Sequence, residues 1–140
     1  MRVSFVTPRW NMYADSLFHQ PYWELYYATI LKTHMYVENI ESVNVIDLRG
    51  YTLEDLKKNK NLLPEQNIYF YWHFRTHDAV EHRQTAQYIK QLYPSSVHIA
   101  GGIHIEKTEK ESKNYYDSLI LGPAENIMFQ VIKNLKEGIL

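Results

Sequence analysis

Apolar residues along this chain fall into five short runs, separated by longer stretches in which they recur every three or four positions. The runs are rich in β-branched and aromatic residues and predict strands at 3–7, 43–47, 68–72, 97–100 and 118–121. Roughly 15 to 35 residues separate consecutive runs, enough for the crossover connections that parallel strands require.

The intervening stretches have the 3.6-residue period of amphipathic helices and carry helix start and stop signals. The predicted helices run from Pro21 through Met35, from the capping box at 52–55 into the polar 59–66 stretch, from Asp78 to Pro94, and from Pro123 to Gly138. The charged segment 106–114 is predicted to be a surface connection with a turn of helix.

Alternating strands and helices of this kind predict an α/β fold. The 68–72 run is apolar at every position, which suits a sheet covered by helices on both faces. We therefore expect a Rossmann-like or flavodoxin-like, doubly wound sheet of five parallel strands in the order 2-1-3-4-5. The 140 residues fit a single domain spanning 1–140.

Composition excludes several classes of function. The net charge is -1, with 15 basic and 16 acidic residues spread along the chain, so no electrostatic footprint for nucleic acid or membrane is present. The absence of cysteine excludes disulfides, thiolate catalysis and iron–sulfur ligation by these residues. No Walker loop, serine elbow or dinucleotide fingerprint follows the first strand. We expect a cytoplasmic, soluble binding protein rather than an enzyme.

A binding site is expected beyond the carboxyl ends of the strands, near the point where the strand order reverses. This rule selects the segments 7–20, 73–78, 101–104 and 122–125. The Gly101-Gly102 pair is the strongest signal among them, because adjacent glycines at a strand end let a ligand approach bare main chain.

Two of these segments carry a family resemblance. Together with the preceding β-α units, 98–104 (HIAGGIH) and 118–126 (SLILGPAEN) resemble the cobalamin-binding domain that precedes the catalytic domain in many radical S-adenosylmethionine enzymes. In that family strand four ends in Gly-Gly-Pro-His and strand five in Gly-Glu-Gly-Glu, where this chain has Gly-Gly-Ile-His at 101–104 and Gly-Pro-Ala-Glu at 122–125. The likeness covers nearly the whole chain, although each motif alone is short.

The resemblance implies a non-catalytic cobalamin-binding module. Gly101 and Gly102 would pack on the cofactor's nucleotide tail as it inserts between sheet and helices. The residues implied to surround the ligand are Pro8, Arg9, His19, His73, Phe74, Arg75, Thr76, Gly101, Gly102, His104, Gly122 and Glu125. Cobalt ligation through His19 is a separate hypothesis, since 15–19 lacks the Asp-x-His-x-x-Gly spacing of related domains that supply an axial histidine.

Because the chain has no cysteine, it is not a radical enzyme by itself. It is a free-standing module, a partner of a separate radical S-adenosylmethionine or methyltransferase subunit, or a fragment. A homodimer also fits the sequence. The first alternative function is a protein-interaction module of the same fold, in which His73, Phe74 and Ile103 close the pocket. The second is a flavodoxin-like binder of a flavin or other phosphate-bearing ligand, for which 7–11 is a poor phosphate cradle.

A metal site is a further hypothesis. His73, His77 and His82 lie within ten residues, with Asp78 and Glu81 nearby, and imidazole and carboxylate are common ligands of divalent metals. Their spacing matches no standard metal motif, so surface or helix-capping roles stand as the alternative.

Overall fold

A single five-stranded parallel sheet organises the protein. The structure, a computed structural model, describes residues 1–9, 22–33, 40–73, 78–125 and 127–138. The strands are β1 (Arg2–Val6), β2 (Ser42–Ile46), β3 (Ile68–Trp72), β4 (Val97–Gly101) and β5 (Ser118–Ile120). Their order is β2-β1-β3-β4-β5. Both the α/β class and the predicted strand order are confirmed.

Six α-helices and one 3-10 turn lie between or after the strands in the described ranges. They are α1 (Tyr22–Thr33), α2 (Leu53–Lys58), the 3-10 turn Lys60–Leu62, α3 (Asp78–Leu92), α4 (Ile103–Lys107), α5 (Glu109–Ser112) and α6 (Ile127–Lys136). The predicted surface connection after β4 is therefore largely two short helices. No helix in the described segments is long and apolar enough to span a membrane.

Local sequence accounts for several helix boundaries. Thr52 and Asp55 form the predicted capping box: the Thr52 hydroxyl accepts from the Asp55 amide, and the Asp55 carboxylate accepts from the Thr52 amide. At α4, Gly102 is the residue before the first turn and has φ +107° and ψ 171°, a conformation open in practice only to glycine. This glycine lets the chain leave β4 and enter a helix at once.

One face of the sheet packs against α1 and α6. Alternation along the strands sends Phe5, Phe70 and Ile99 to this face, where they meet Leu31 of α1 and Met128 of α6. The rings of Phe5 and Phe70 stack with centroids 4.9 Å apart. These contacts form the first half of the core.

The opposite face packs against α2, α3 and α4. Here the sheet presents Tyr69 and Tyr71, and the helices contribute Leu56, Ile89 and Ile105. Since consecutive residues of β3 point to opposite faces, neighbouring positions on this strand serve two different environments. This alternation decides which predicted site residues meet.

The reversal of strand order falls at β1. This strand pairs with β2 on one side and β3 on the other, both in parallel register. The connections leaving β1 and β3 therefore diverge, and a crevice is expected beyond their carboxyl ends. The candidate site lies at this edge of the sheet.

Candidate functional site

A depression of about 310 Å³ lies at the carboxyl edge of the sheet. Its walls combine aromatic rings with bare backbone at two glycines of positive φ, Gly102 and Gly122. The lining residues are Trp23, Tyr27, Trp72, Gly102, Ile103, Glu106, Gly122, Pro123 and Glu125. An aromatic concavity with a few carboxylates at its rim is typical of a small-molecule site.

Neighbouring residues of the protein leave no room for a side chain at Gly101 or Gly102. A Cβ on Gly101 would lie 2.7 Å from the indole ring of Trp72, which stands opposite it in the β3–β4 register. A Cβ on Gly102 would lie 2.5 Å from the carbonyl oxygen of His73, and the His104 amide donates to that same oxygen at 3.2 Å. Both glycines are therefore explained by the packing of the folded chain, and Gly102 also lines the depression.

Below the depression, a slot runs between the sheet and helices α1 and α6. Its free volume is about 10 Å³, about the least that can hold a single water molecule. The side chains and backbone that fill it are Phe5, Tyr27, Phe70, Tyr71, Trp72, Gly101, Ile120, Ala124 and Met128. This is the space into which the family resemblance would place a nucleotide tail, and here it is packed with aromatic side chains.

His73 does not face the slot. It follows Trp72 on β3 and therefore points to the other face of the sheet, where it is fully buried. The pocket-closing role predicted for His73 falls to Trp72 instead. Ile103, the other described residue of that prediction, is half exposed at the mouth of the depression.

Three imidazoles gather on the far side of the sheet. The ring of His73 lies 4.7 Å from that of His82 on α3 and 5.8 Å from that of His104 on α4. The Nε2 atom of His73 is hydrogen-bonded to the Tyr116 hydroxyl at 2.7 Å. Two members of the predicted metal set, His73 and His82, thus come together, but no group of three or more His, Asp or Glu in the described ranges has a metal-holding geometry.

Burial keeps the imidazoles of His73 and His82 neutral. Desolvation lowers the pKa of His82 to about 3, although the Trp72 backbone favours the charged form. Desolvation also lowers the pKa of His73 far below its usual value, and the neighbouring His82 and His104 add to the effect. The rings of His73 and His82 are thus neutral and enclosed, and neither lines the depression.

His98 extends the polar network on the same face. Its ring lies between the Tyr71 hydroxyl at 2.8 Å and the Ser96 hydroxyl at 2.9 Å. Since a neutral imidazole has one donor and one acceptor nitrogen, one hydroxyl donates and the other accepts. Burial lowers the pKa of His98 to about 4.

Arg9 is engaged by α3 rather than directed at the depression. Its guanidinium lies 2.8 Å from the Glu81 carboxylate and donates to Thr85 at 3.0 Å and Gln84 at 2.8 Å. Its side chain is 5% exposed. Pro8, which precedes it, is also buried.

Of the twelve predicted ligand-contacting residues, the structure brings Gly102, Gly122 and Glu125 to the depression, with Gly101 just beneath. The predicted residues outside the described part of the chain are His19, Phe74, Arg75, Thr76 and, for the metal hypothesis, His77. Trp72 and Tyr27 also line the depression, although they were not predicted for the site. The alternation of side chains along β3 was the available signal for the face of the sheet that Trp72 takes. In the structure, Trp72 lies opposite Gly101 on that sheet.

A second groove, of about 630 Å³, lies between α3 and the segment 113–117. It is larger, but it adjoins the amino ends of β4 and β5, away from the edge where ligands bind in sheets of this kind. Its lysines have carboxylate partners: Lys90 lies 3.2 Å from Asp117, and Lys113 lies 3.1 Å from Glu109. We therefore assign the candidate site to the carboxyl-edge depression.

Comparison with known proteins supports the class of fold. No protein-family model matches the sequence, and no curated protein matches it. Among solved structures, the similar chains include a radical enzyme and a response regulator. The shared feature is the α/β architecture of a doubly wound parallel sheet.

One of these is TsrM, a radical S-adenosylmethionine methyltransferase from Kitasatospora setae, solved with a tryptophan substrate and an analogue of S-adenosylmethionine. The TM-score is 0.65 at 17% identity, over 98% of this chain and 26% of TsrM. Another is the RcsB response regulator of Salmonella typhimurium, with a TM-score of 0.56 at 15% identity, over 99% of this chain and 60% of RcsB. This chain thus spans about a quarter of the methyltransferase, and at these identities the likeness is one of fold.

Proposed function

We propose that this chain is a non-catalytic cobalamin-binding module that presents its carboxyl-edge depression to the corrin. The observation that carries the proposal is the depression itself. It lies where doubly wound sheets bind ligands, and Trp23, Tyr27 and Trp72 give it apolar, aromatic walls suited to a large flat macrocycle.

Two further findings support the proposal. The glycine turns at 101–102 and 122 stand where the cobalamin domains of radical enzymes have theirs, and both adjoin the candidate site. The fold likeness to a radical S-adenosylmethionine methyltransferase extends over 98% of the chain but only 26% of that enzyme, as expected of one module of a larger system. The partner would be a separate catalytic subunit or domain.

The fit of cobalamin to the described residues is partial. The depression can contact one edge of the corrin, and Glu106 and Glu125 are placed to accept hydrogen bonds from its amide side chains. The slot beneath, with about 10 Å³ free, does not admit a nucleotide tail as it stands. We therefore propose that the corrin binds at the surface depression only.

Binding of hydroxocobalamin to the purified chain tests the proposal directly. After mixing and gel filtration, corrin absorbance should elute with the protein. Ile103→Asp, which puts a charge at the mouth of the depression, should abolish co-elution. Val80→Asp, at a residue similarly exposed on α3, should not. Elution of the wild-type protein without corrin would refute the proposal.

A second candidate function is a protein-interaction module. The filled slot favours it, as do three exposed apolar residues at the depression: Ile103 lines it, and Tyr22 and Tyr26 contact the lining residue Trp23. If this surface mediates self-association, light scattering should give a dimer mass that Tyr26→Asp converts to a monomer mass. A monomer mass at every concentration, together with corrin binding, would exclude self-association and leave cobalamin binding as the function.

A further inference from the structure

One wall of the depression is α4, a short helix with contacts on two sides. On one side it carries Ile103 and Glu106, which line the depression. On the other side it carries His104 and Ile105, which are buried. A helix of five residues is not stable in isolation, so its position depends on the contacts that hold it to the rest of the protein.

Several of those contacts are made by one residue, His73. Its carbonyl oxygen accepts a hydrogen bond from the His104 amide at 3.2 Å, and its backbone lies directly against Gly102. Its imidazole stacks on that of His104, with ring centroids 5.8 Å apart and an angle of 12° between the planes. The His73 amide donates to the Gly101 carbonyl at 2.7 Å, which ties the residue to the end of β4. The placement of His73 therefore sets where α4 begins.

The His73 ring is in turn held by Tyr116, which lies just before β5. The two rings meet edge to face with centroids 5.4 Å apart, and the Tyr116 hydroxyl lies 2.7 Å from Nε2 of His73. In the described part of the chain this is the one hydrogen bond to the ring, since Nδ1 is buried without a partner. Both side chains are buried, so no solvent is at hand to replace the bond if the hydroxyl is removed.

We propose that Tyr116 is a positioning residue for the depression. Its hydroxyl fixes the His73 ring, the His73 backbone fixes the start of α4, and α4 places Ile103 and Glu106 at the wall that meets the ligand. Tyr116 does not itself line the depression, so it acts through His73. The inference rests on the proposed function for the identity of the ligand.

Two buried tyrosines on the same face of the sheet provide a matched comparison. Tyr116→Phe removes the hydroxyl bonded to His73, and Tyr71→Phe removes the hydroxyl bonded to Nδ1 of His98 at 2.8 Å. Each change deletes one oxygen atom and leaves one more buried imidazole nitrogen without a hydrogen bond. Comparable losses of Tm are therefore expected. Only the first change is connected to α4.

Hydrogen exchange gives the first test and needs no ligand. The His104 amide, which is bonded to the His73 carbonyl, should exchange about tenfold faster in Tyr116→Phe than in the wild type when followed by NMR. Its rate should be unchanged in Tyr71→Phe. Equal rates in all three proteins, or the same acceleration in both variants, would overturn the inference.

Binding of hydroxocobalamin gives the second test. The Kd should rise about fivefold for Tyr116→Phe, the fold-change that corresponds to one ordinary hydrogen bond, and should not change for Tyr71→Phe. An unchanged affinity in Tyr116→Phe, or an equal loss in both variants, would refute the positioning role and leave the function standing. If the wild type binds no hydroxocobalamin, the proposed function fails, and the exchange rate of the His104 amide still decides whether Tyr116 positions α4.

A double-mutant cycle tests whether Tyr116 acts through His73. His73→Phe keeps an aromatic ring but has no nitrogen to share in the hydrogen bond. In this background, or in His73→Leu if the phenylalanine variant does not fold, Tyr116→Phe should cause no further loss of corrin affinity and no further exchange at the residue 104 amide. A second fivefold loss of affinity would show that Tyr116 acts by another route and would contradict the inference.

Discussion

At the residue scale, the two adjacent glycines have different roles. Gly101 has ordinary strand geometry and is needed because Trp72 fills its side-chain space. Gly102 is needed for its backbone conformation and for the carbonyl of His73 directly beside it. The two glycines of this motif are thus required for two different reasons.

Gly102→Ala should lower the free energy of unfolding by about 3 kcal/mol, through backbone strain and the 2.5 Å approach of a Cβ to the His73 oxygen. Gly122→Ala is the matched control: its φ is +94°, but no atom lies within 4 Å of the added Cβ. It should cost about 1 kcal/mol. Urea denaturation measures both, and equal losses would show that the carbonyl contact adds nothing.

At the scale of elements, Arg9 joins the end of β1 to α3. Burying a guanidinium without partners costs free energy of folding. Here three side chains of α3 contact the Arg9 guanidinium. Burial lowers the pKa of Arg9, and the Glu81 carboxylate opposes that effect. The contact fixes the start of the β1 connection relative to α3.

Arg9→Gln should therefore reduce stability by on the order of 2 kcal/mol, with hydroxocobalamin binding unchanged at temperatures where the protein is folded. Arg2→Gln is a suitable control because Arg2 is exposed at the start of β1. Thermal unfolding gives the stability and gel filtration with corrin gives the binding. Loss of corrin binding by folded Arg9→Gln would mean that this residue does belong to the ligand site.

At the scale of the whole molecule, buried histidines link stability to pH. Their pKa values fall on folding, to about 3 for His82 and about 4 for His98, while the unfolded chain retains values near 6.5. The unfolded state therefore takes up protons first as the pH falls. The stabilisation is fully present above pH 6.5 and is lost progressively from there towards pH 3.

Between pH 7 and pH 5 each such histidine should cost on the order of 2 kcal/mol of unfolding free energy. Urea midpoints measured across this range should fall steeply. His82→Phe, which keeps an aromatic ring beside His73 but cannot take up a proton, should flatten the profile. A wild-type midpoint that is constant from pH 7 to pH 5 would contradict a buried neutral cluster.

Much of the fold was predictable because local and periodic signals agree. Consecutive apolar positions at 68–72 indicated a doubly covered strand, the capping box at 52–55 indicated a helix start, and the spacing of the runs indicated parallel connections. For the site, the sequence predicted only a location. The sequence indicated which strand ends lie along one edge of the sheet. It did not indicate which side chains contact each other there.

The sequence by itself determined the α/β class and the strand order, because periodicity and connection length act within or between neighbouring segments; the edge at which a ligand would bind stays a prediction. Only the tertiary structure decided that Trp72 fills the slot, that His73 turns away from it, and that Arg9 is held by α3. These outcomes depend on sheet register and on which face each residue takes across β1, β3 and β4. A shift of one residue in strand register would move each side chain of that strand to the other face of the sheet. Tertiary packing therefore decides which residues form the site.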